Sequence, residues 1–267
     1  MAGAAAFALP AIYEIAAPPA WRAIDFISDL HLQPGTPRTV EAWAAHLLHT
    51  PADAVFILGD LFEVWVGDDA RALPFESRCA DALAEASTRR VVAFMAGNRD
   101  FLLGRAMREA CGLMPLPDPT RLDAWGQRVL LSHGDALCVD DTDYQRFRAL
   151  VRGDAWQAEF LAQPLAERRR LAAEMRRQSE ARRQATGHAV ELWADVDAAT
   201  AVAWMHAAGA AEMVHGHTHR PGRALLAPGV KRHVLSDWDL DNEAAPRAEV
   251  LRLTRDGFAR VPPSRAA

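Results

Sequence analysis

Ile24-Asp25-Phe26-Ile27-Ser28-Asp29-Leu30-His31 carries an apolar strand signal straight into an aspartate and a histidine two residues apart. The same join recurs four times. Ala54 to Leu58 runs into Gly59-Asp60, Val91 to Met95 into Gly97-Asn98-Arg99-Asp100, Val129 to Leu131 into His133-Gly134-Asp135, and Met213-Val214 into His215-Gly216-His217-Thr218-His219. Short apolar runs rich in Val and Ile predict buried strands, so each polar cluster falls at a strand's carboxyl end. Five loops would then converge on one edge.

Working outward, the chain from Ala23 to about Asp135 alternates strand, loop and helix. Thr39 to His49 and Glu76 to Ser87 fit amphipathic helices, which is the βαβ grammar of an α/β fold. Between about Asp141 and Gly187 strand signals vanish and helical spacing takes over, with Tyr144, Phe147 and Val151, then Trp156 and Phe160, then Leu171 and Met175. After another helix, Thr200 to Ala208, the β signal returns at Glu212 to His215. Runs near Ala224 to Leu226, His233 to Ser236 and Ala248 to Leu253 suggest strands closing a second sheet. The expected division is therefore a core over 23–140 and 196–260, a helical insertion over 141–195, and a disordered extension over 1–22, whose first 20 residues are rich in Ala and Pro and carry one charge, Glu14.

Composition narrows the classes. In 267 residues half are apolar, enough for a sizeable core, and a net charge of −5 gives no global basic field for coating nucleic acid. Cys79, Cys111 and Cys138 are scattered without CxxC spacing, as a reducing cytoplasm permits. No apolar run reaches the roughly 18 residues of a membrane span.

The polar clusters offer hard oxygens and imidazole nitrogens with no Cys, a mixture suited to Mn, Fe or Zn. Asp29 and His31 can chelate one ion, and Asp60, where Gly59 lets the backbone turn, is placed to bridge two. Asn98, His133, His217 and His219 would complete two coordination spheres. Singly, Asp-x-His and Gly-Asp are mostly solvated turns; three imidazoles within five residues, in this order with the rest, are not.

Asp-x-His, Gly-Asp, Gly-Asn-x-Asp, His-Gly-Asp and Gly-His-x-His in sequence resemble the calcineurin-like metallophosphoesterase superfamily. The resemblance implies a two-sheet β-sandwich flanked by helices. It also implies one metal on Asp29, His31, Asp60 and His219 and another on Asp60, Asn98, His133 and His217, leaving His215 out. The longer strings Gly59-Asp60-Leu61-Phe62-Glu63-Val64-Trp65-Val66-Gly67-Asp68-Asp69, Gly97 to Gly104 and His133 to Asp141 are similar to the UDP-2,3-diacylglucosamine pyrophosphatase family of lipid A biosynthesis. That likeness implies hydrolysis of an acylated UDP-sugar, Mn²⁺ as cofactor, and peripheral association with the cytoplasmic face of the inner membrane, with no nucleic acid and no obligate protein partner. It also implies substrate contacts at Asp141 and Ser179. Where the family carries a small polar residue and then a lysine after that serine, this chain has Arg183 and Thr186.

Two metal ions can lower the pKa of a bridging water toward ~7, so no protein nucleophile is needed. Arg99, adjacent to Asn98, can pair with a phosphate oxygen as charge builds; Asp60, Asn98, Arg99 and His133 are the expected catalytic set, with Asn98, Arg99 and His217 also touching substrate. Asp100 and Asp135 are expected to orient ligands. Pro164 to Val190 holds seven Arg against three Glu, a basic helix that can face solvent or a membrane surface. Two other readings stay open: a hydrolase of soluble nucleotides, and a binding protein on the same scaffold.

Overall fold

The computed structural model describes residues 9–185 and 195–265, with the side chains of 178–185 left aside. Its strands are β1 (Tyr13–Ala16), β2 (Ala23–Ile27), β3 (Ala54–Leu58), β4 (Val91–Met95), β5 (Met114–Pro115), β6 (Thr120–Ala124), β7 (Gln127–Ser132), β8 (Glu212–His215), β9 (Gly222–Ala227), β10 (Val230–Val234), β11 (Val250–Thr254) and β12 (Gly257–Val261). Its α-helices are α1 (Pro37–His49), α2 (Pro74–Ser87), α3 (Arg105–Cys111), α4 (Thr142–Val151), α5 (Asp154–Leu161), α6 (Leu165–Ala185) and α7 (Ala198–Ala208).

Two six-stranded sheets face each other, ordered β12-β11-β2-β3-β4-β5 and β1-β6-β7-β8-β10-β9. The run β2-β3-β4-β5 is parallel, and a parallel sheet needs both faces covered. Period-two alternation provides this: Phe26, Phe56 and Met95 point at Leu122, Leu131 and Val214 of the other sheet, while Ile27, Ile57 and Phe94 meet Trp43, Leu83 and Met107 of α1, α2 and α3. On the far side, Leu130 and Met213 pack on Trp204 and Met205 of α7. Helix, sheet, sheet and helix form four layers, an α/β sandwich as expected.

Two expectations need correction. Residues 1–22 are not all outside the fold, because Tyr13–Ala16 pairs in parallel with β6, Ile15 reaches the inter-sheet core, and Trp21 packs edge-on against Phe56 at 6.4 Å. An Ala- and Pro-rich composition hid the apolar positions Ile12 and Ile15. The late strands also do not close one sheet: β9 and β10 extend β8, whereas β11 and β12 return to β2.

Alongside the β2–β11 ladder and the buried Leu251 and Leu253 stands an ion pair that hydropathy passes over. Asp25 on β2 stands opposite Arg252 on β11 and accepts from its Nε at 2.6 Å and NH2 at 2.8 Å, with Thr50 Oγ1 donating to the same carboxylate and His46 Nε2 at 3.3 Å. Burial alone would raise this carboxyl, but Arg252, then His46 and Thr50, hold it down to about 2. Asp25→Asn is expected to destabilise the protein by about 3 kcal/mol, because it leaves a largely buried guanidinium short of its counter-charge. A folded-state pKa below the ordinary value stabilises at higher pH, so the wild-type advantage should be full above 3.8 and shrink as pH falls toward about 2. Urea titrations of both proteins across that window measure it.

Candidate metal centre

Strain marks the site. Six non-glycine residues among those described have positive φ, and five are Asp29 (53°), His31 (48°), Asp60 (53°), His217 (67°) and His219 (51°). A left-handed conformation costs an L-residue roughly 1–2 kcal/mol, so a cluster of five requires surroundings that impose it. The loops after β2 and β3 impose it on each other. Asp29 N–H donates to the Gly59 carbonyl at 3.1 Å, and Leu30 and His31 N–H both donate to the Asp60 carbonyl at 2.9 and 3.0 Å.

The carboxyl ends of β2, β3, β7 and β8 and the loop after β4 thereby converge. Asp29, His31 and His219 can each present one atom within 4.8 Å of the others, as can Asp29, Asp60 and His133. His31 Nε2 lies 3.3 Å from His219 Nε2 and 3.9 Å from Asp60 Oδ2; His219 Nε2 lies 3.4 Å from Asp29 Oδ1, and His133 Nε2 lies 3.7 Å from Asp60 Oδ1. Asn98 Oδ1 joins the second group, at 2.9 Å from both His133 Nε2 and His217 Nδ1. All seven candidate ligands thus meet in one cluster. His215 does not join it: its Nδ1 turns to the Gly216 carbonyl at 2.9 Å, and burial pushes it down to about 4.

The donor chemistry fits a cation. His133 Nδ1 sits 2.9 Å from the Leu58 carbonyl, which accepts a hydrogen bond from Nδ1–H, so Nε2 of the neutral ring is a bare acceptor aimed at another acceptor, Asn98 Oδ1. Such a pairing is repulsive until positive charge lies between the two atoms. Electrostatics agree: burial works against a charged His133, yet Asp60, Asp135 and Asp29 raise it to about 9. A field strong enough to draw a proton onto a fully buried imidazole also attracts a divalent ion. Asp29, which burial would raise, is instead held well below the usual carboxylate range by His219 and the neighbouring imidazoles. It also receives the His217 N–H at 2.9 Å.

Supporting contacts hold the loops. Asp100 accepts from Leu61 N–H at 2.7 Å and Gly97 N–H at 2.8 Å, tying the β3 and β4 loops together, as expected of an orienting residue. Burial and the Asp60 charge push its carboxyl up to about 7. Asp135 accepts from Tyr144 Oη at 2.6 Å and Arg148 Nε at 2.8 Å, both on α4, and the Tyr144 ring stacks on His217 at 6.0 Å. Arg99 anchors through its backbone N–H to Asp60 Oδ1 at 2.8 Å, while its NH1 lies 3.7 Å from Glu63 Oε1.

Asp141 caps α4 by accepting from Tyr144 N–H at 3.0 Å and is exposed. The side chains of Ser179 and Arg183 lie outside those described. Sequence reasoning missed three neighbours: Glu63 beside His31, Tyr144 over His217, and Asp237, which is 3.5 Å from His219 Nδ1. Glu63 had a signal, standing three residues after Asp60; Asp237 had none.

Gly97 leaves no room for a side chain beside Asp60. A Cβ on Gly97 would fall onto the Asp60 carboxylate and backbone nitrogen. Gly97→Ala is therefore expected to weaken divalent-cation binding at least tenfold, read by calorimetric titration with Mn²⁺.

The comparisons agree with this geometry. The calcineurin-like phosphoesterase family model matches residues 23–221. A protein of Xanthomonas campestris pv. campestris named UDP-2,3-diacylglucosamine hydrolase is 44% identical over 248 residues, covering 88% of this chain and 96% of its own. One of that name from Bordetella parapertussis is 42% identical, covering 90% and 93%. With the five clusters gathered at one sandwich edge and the match spanning them all, this chain belongs to the calcineurin-like phosphoesterase family.

Proposed function

We propose that the protein hydrolyses the pyrophosphate bond of UDP-2,3-diacylglucosamine, releasing UMP and 2,3-diacylglucosamine 1-phosphate, a step of lipid A biosynthesis. The observation that carries this is the complete cluster of seven candidate ligands, in a chain of which relatives of that name match 88–90% at 42–44% identity. In the reaction a water oxygen bonds to one phosphorus, the bridging P–O bond breaks, and the bridging oxygen leaves with the other phosphoryl group.

Asp29, His31, Asp60 and His219 would hold one Mn²⁺, and Asp60, Asn98, His133 and His217 a second. When bound, such ions supply Lewis-acid polarisation of the phosphoryl oxygens and acidify the attacking water. The chain's own groups do the rest. The Leu58 carbonyl and the Asp60 carboxylate fix the His133 ring, Asn98 spans the two imidazoles beside it, and Arg99 presents a guanidinium where phosphoryl charge builds. His217 is held against substrate by the Tyr144 ring.

The core over 23–140 and 196–260 would carry this chemistry and the insertion over 141–195 would cover it, with Asp141, Ser179 and Arg183 as substrate contacts. Two structural facts support an acylated substrate presented at a membrane surface. Phe147 and Leu150 on α4 and Leu161 on α5 are exposed apolar side chains, and the neighbouring α6 is rich in arginine. The contact we propose is peripheral, at the cytoplasmic face of the inner membrane; no helix among the described residues is long and apolar enough to cross a membrane.

Purified protein should release UMP from UDP-2,3-diacylglucosamine in the presence of Mn²⁺, stop on chelation and recover on Mn²⁺ readdition. Asp60→Ala should lower kcat/KM on the order of 10³-fold, since it removes the carboxylate that the two proposed ions would share. Cleavage of a soluble UDP-sugar as fast as the acylated one would assign the protein to soluble nucleotides instead.

A further inference from the structure

Glu63 is a buried acid that the proposed chemistry does not use. It lies on the loop after β3, 7% exposed, with its backbone N–H donating to the Leu32 carbonyl at 3.2 Å. Three groups that can carry positive charge meet its carboxylate. His31 Nδ1 is 3.0 Å from Oε2, Arg99 NH1 is 3.7 Å from Oε1, and Arg176 NH1 forms an ion pair with Oε1. One of these is a candidate metal ligand, one is the candidate phosphate-binding arginine, and one belongs to α6 of the insertion.

A carboxylate 3.0 Å from Nδ1 favours a proton on that nitrogen by its charge, and Nε2 then faces Asp60 and His219, the arrangement a metal-ligating imidazole requires. The same carboxylate ties Arg99 and Arg176 to one point. We infer that Glu63 is a positioning residue that locks His31 for metal ligation while coupling Arg99 and the insertion helix, through Arg176, to the same centre. This rests on the metal-dependent reading above and adds a residue and a link to it. Because the coupling passes through charge and the locking passes through a proton acceptor, the two parts separate by substitution. Glutamine keeps an oxygen that can accept from Nδ1 but removes the charge that gathers the arginines; alanine removes both.

The test measures Mn²⁺ affinity by calorimetric titration of the full chain, with kcat/KM on the acylated substrate alongside. Glu63→Ala should weaken Mn²⁺ binding about tenfold or more, and Glu63→Gln by clearly less. Arg176→Ala should leave Mn²⁺ affinity unchanged while lowering kcat/KM, and this loss should largely vanish when it is made in the Glu63→Gln background. Melting of the cation-free Glu63→Gln protein near the wild-type temperature keeps the comparison valid even where the alanine variant folds poorly. Wild-type Mn²⁺ affinity in Glu63→Ala, or an undiminished Arg176→Ala loss in the Glu63→Gln background, overturns the inference alone. Failure of the wild type itself to bind any divalent cation would instead remove the metal-dependent reading and this role together.

Discussion

The mutual hydrogen bonding of the loops after β2 and β3 is the constraint on which the rest of the site depends. The Gly59 and Asp60 carbonyls take three N–H groups from Asp29, Leu30 and His31, and this stitching forces three polar residues into left-handed backbone. Their side chains then turn inward at the sheet edge instead of alternating across it. The inter-sheet core makes the arrangement rigid. β2, β3 and β4 are packed on both faces, so the loops they carry have little freedom to relax the strain.

Concentrating acids and imidazoles in this way has an electrostatic consequence. Asp29, Asp100 and Asp135 are all buried near the centre, and they respond differently because their partners differ. Asp29 and Asp135 stay ionised against histidine and arginine, whereas Asp100, facing another carboxylate, is pushed upward. The net field favours a cation at the point where the imidazole nitrogens and the Asn98 oxygen meet. Strain in the backbone and negative charge in the side chains therefore describe one site from two directions.

Helices α4 to α6 are tied to the core by charges as well as by apolar packing of Phe160, Trp156, Leu165 and Leu171. Arg148 and Tyr144 reach Asp135, Arg152 donates to the Gly97 carbonyl at 2.9 Å, and buried Arg168 binds the Val66 carbonyl and Asp69. Apolar contact does contribute where Trp156 stacks on Phe160 at 4.8 Å and lies 6.2 Å from Phe101. Each polar tie ends on a loop that bears candidate ligands or on its immediate extension, so the insertion and the metal centre are mechanically one unit.

Local chemistry settled much of this before any coordinates. Apolar runs ending in Asp, Asn and His marked five strand ends, and imidazole and carboxylate without thiolate marked the class of ion, because these signals reside in residue type and short spacing. The pairing of strands is different. Val250–Thr254 returns to β2, where it pairs with Ala23 to Phe26, buries Leu251 and Leu253 and sets Arg252 against Asp25, more than two hundred residues away, and no local pattern encodes that separation. The N-terminal strand stayed hidden for the same reason, its β character depending on β6 as a partner. So did Asp237. What a residue is was legible along the chain, but which residue it faces came only from the fold, since facing is a property of two distant segments brought together by burial.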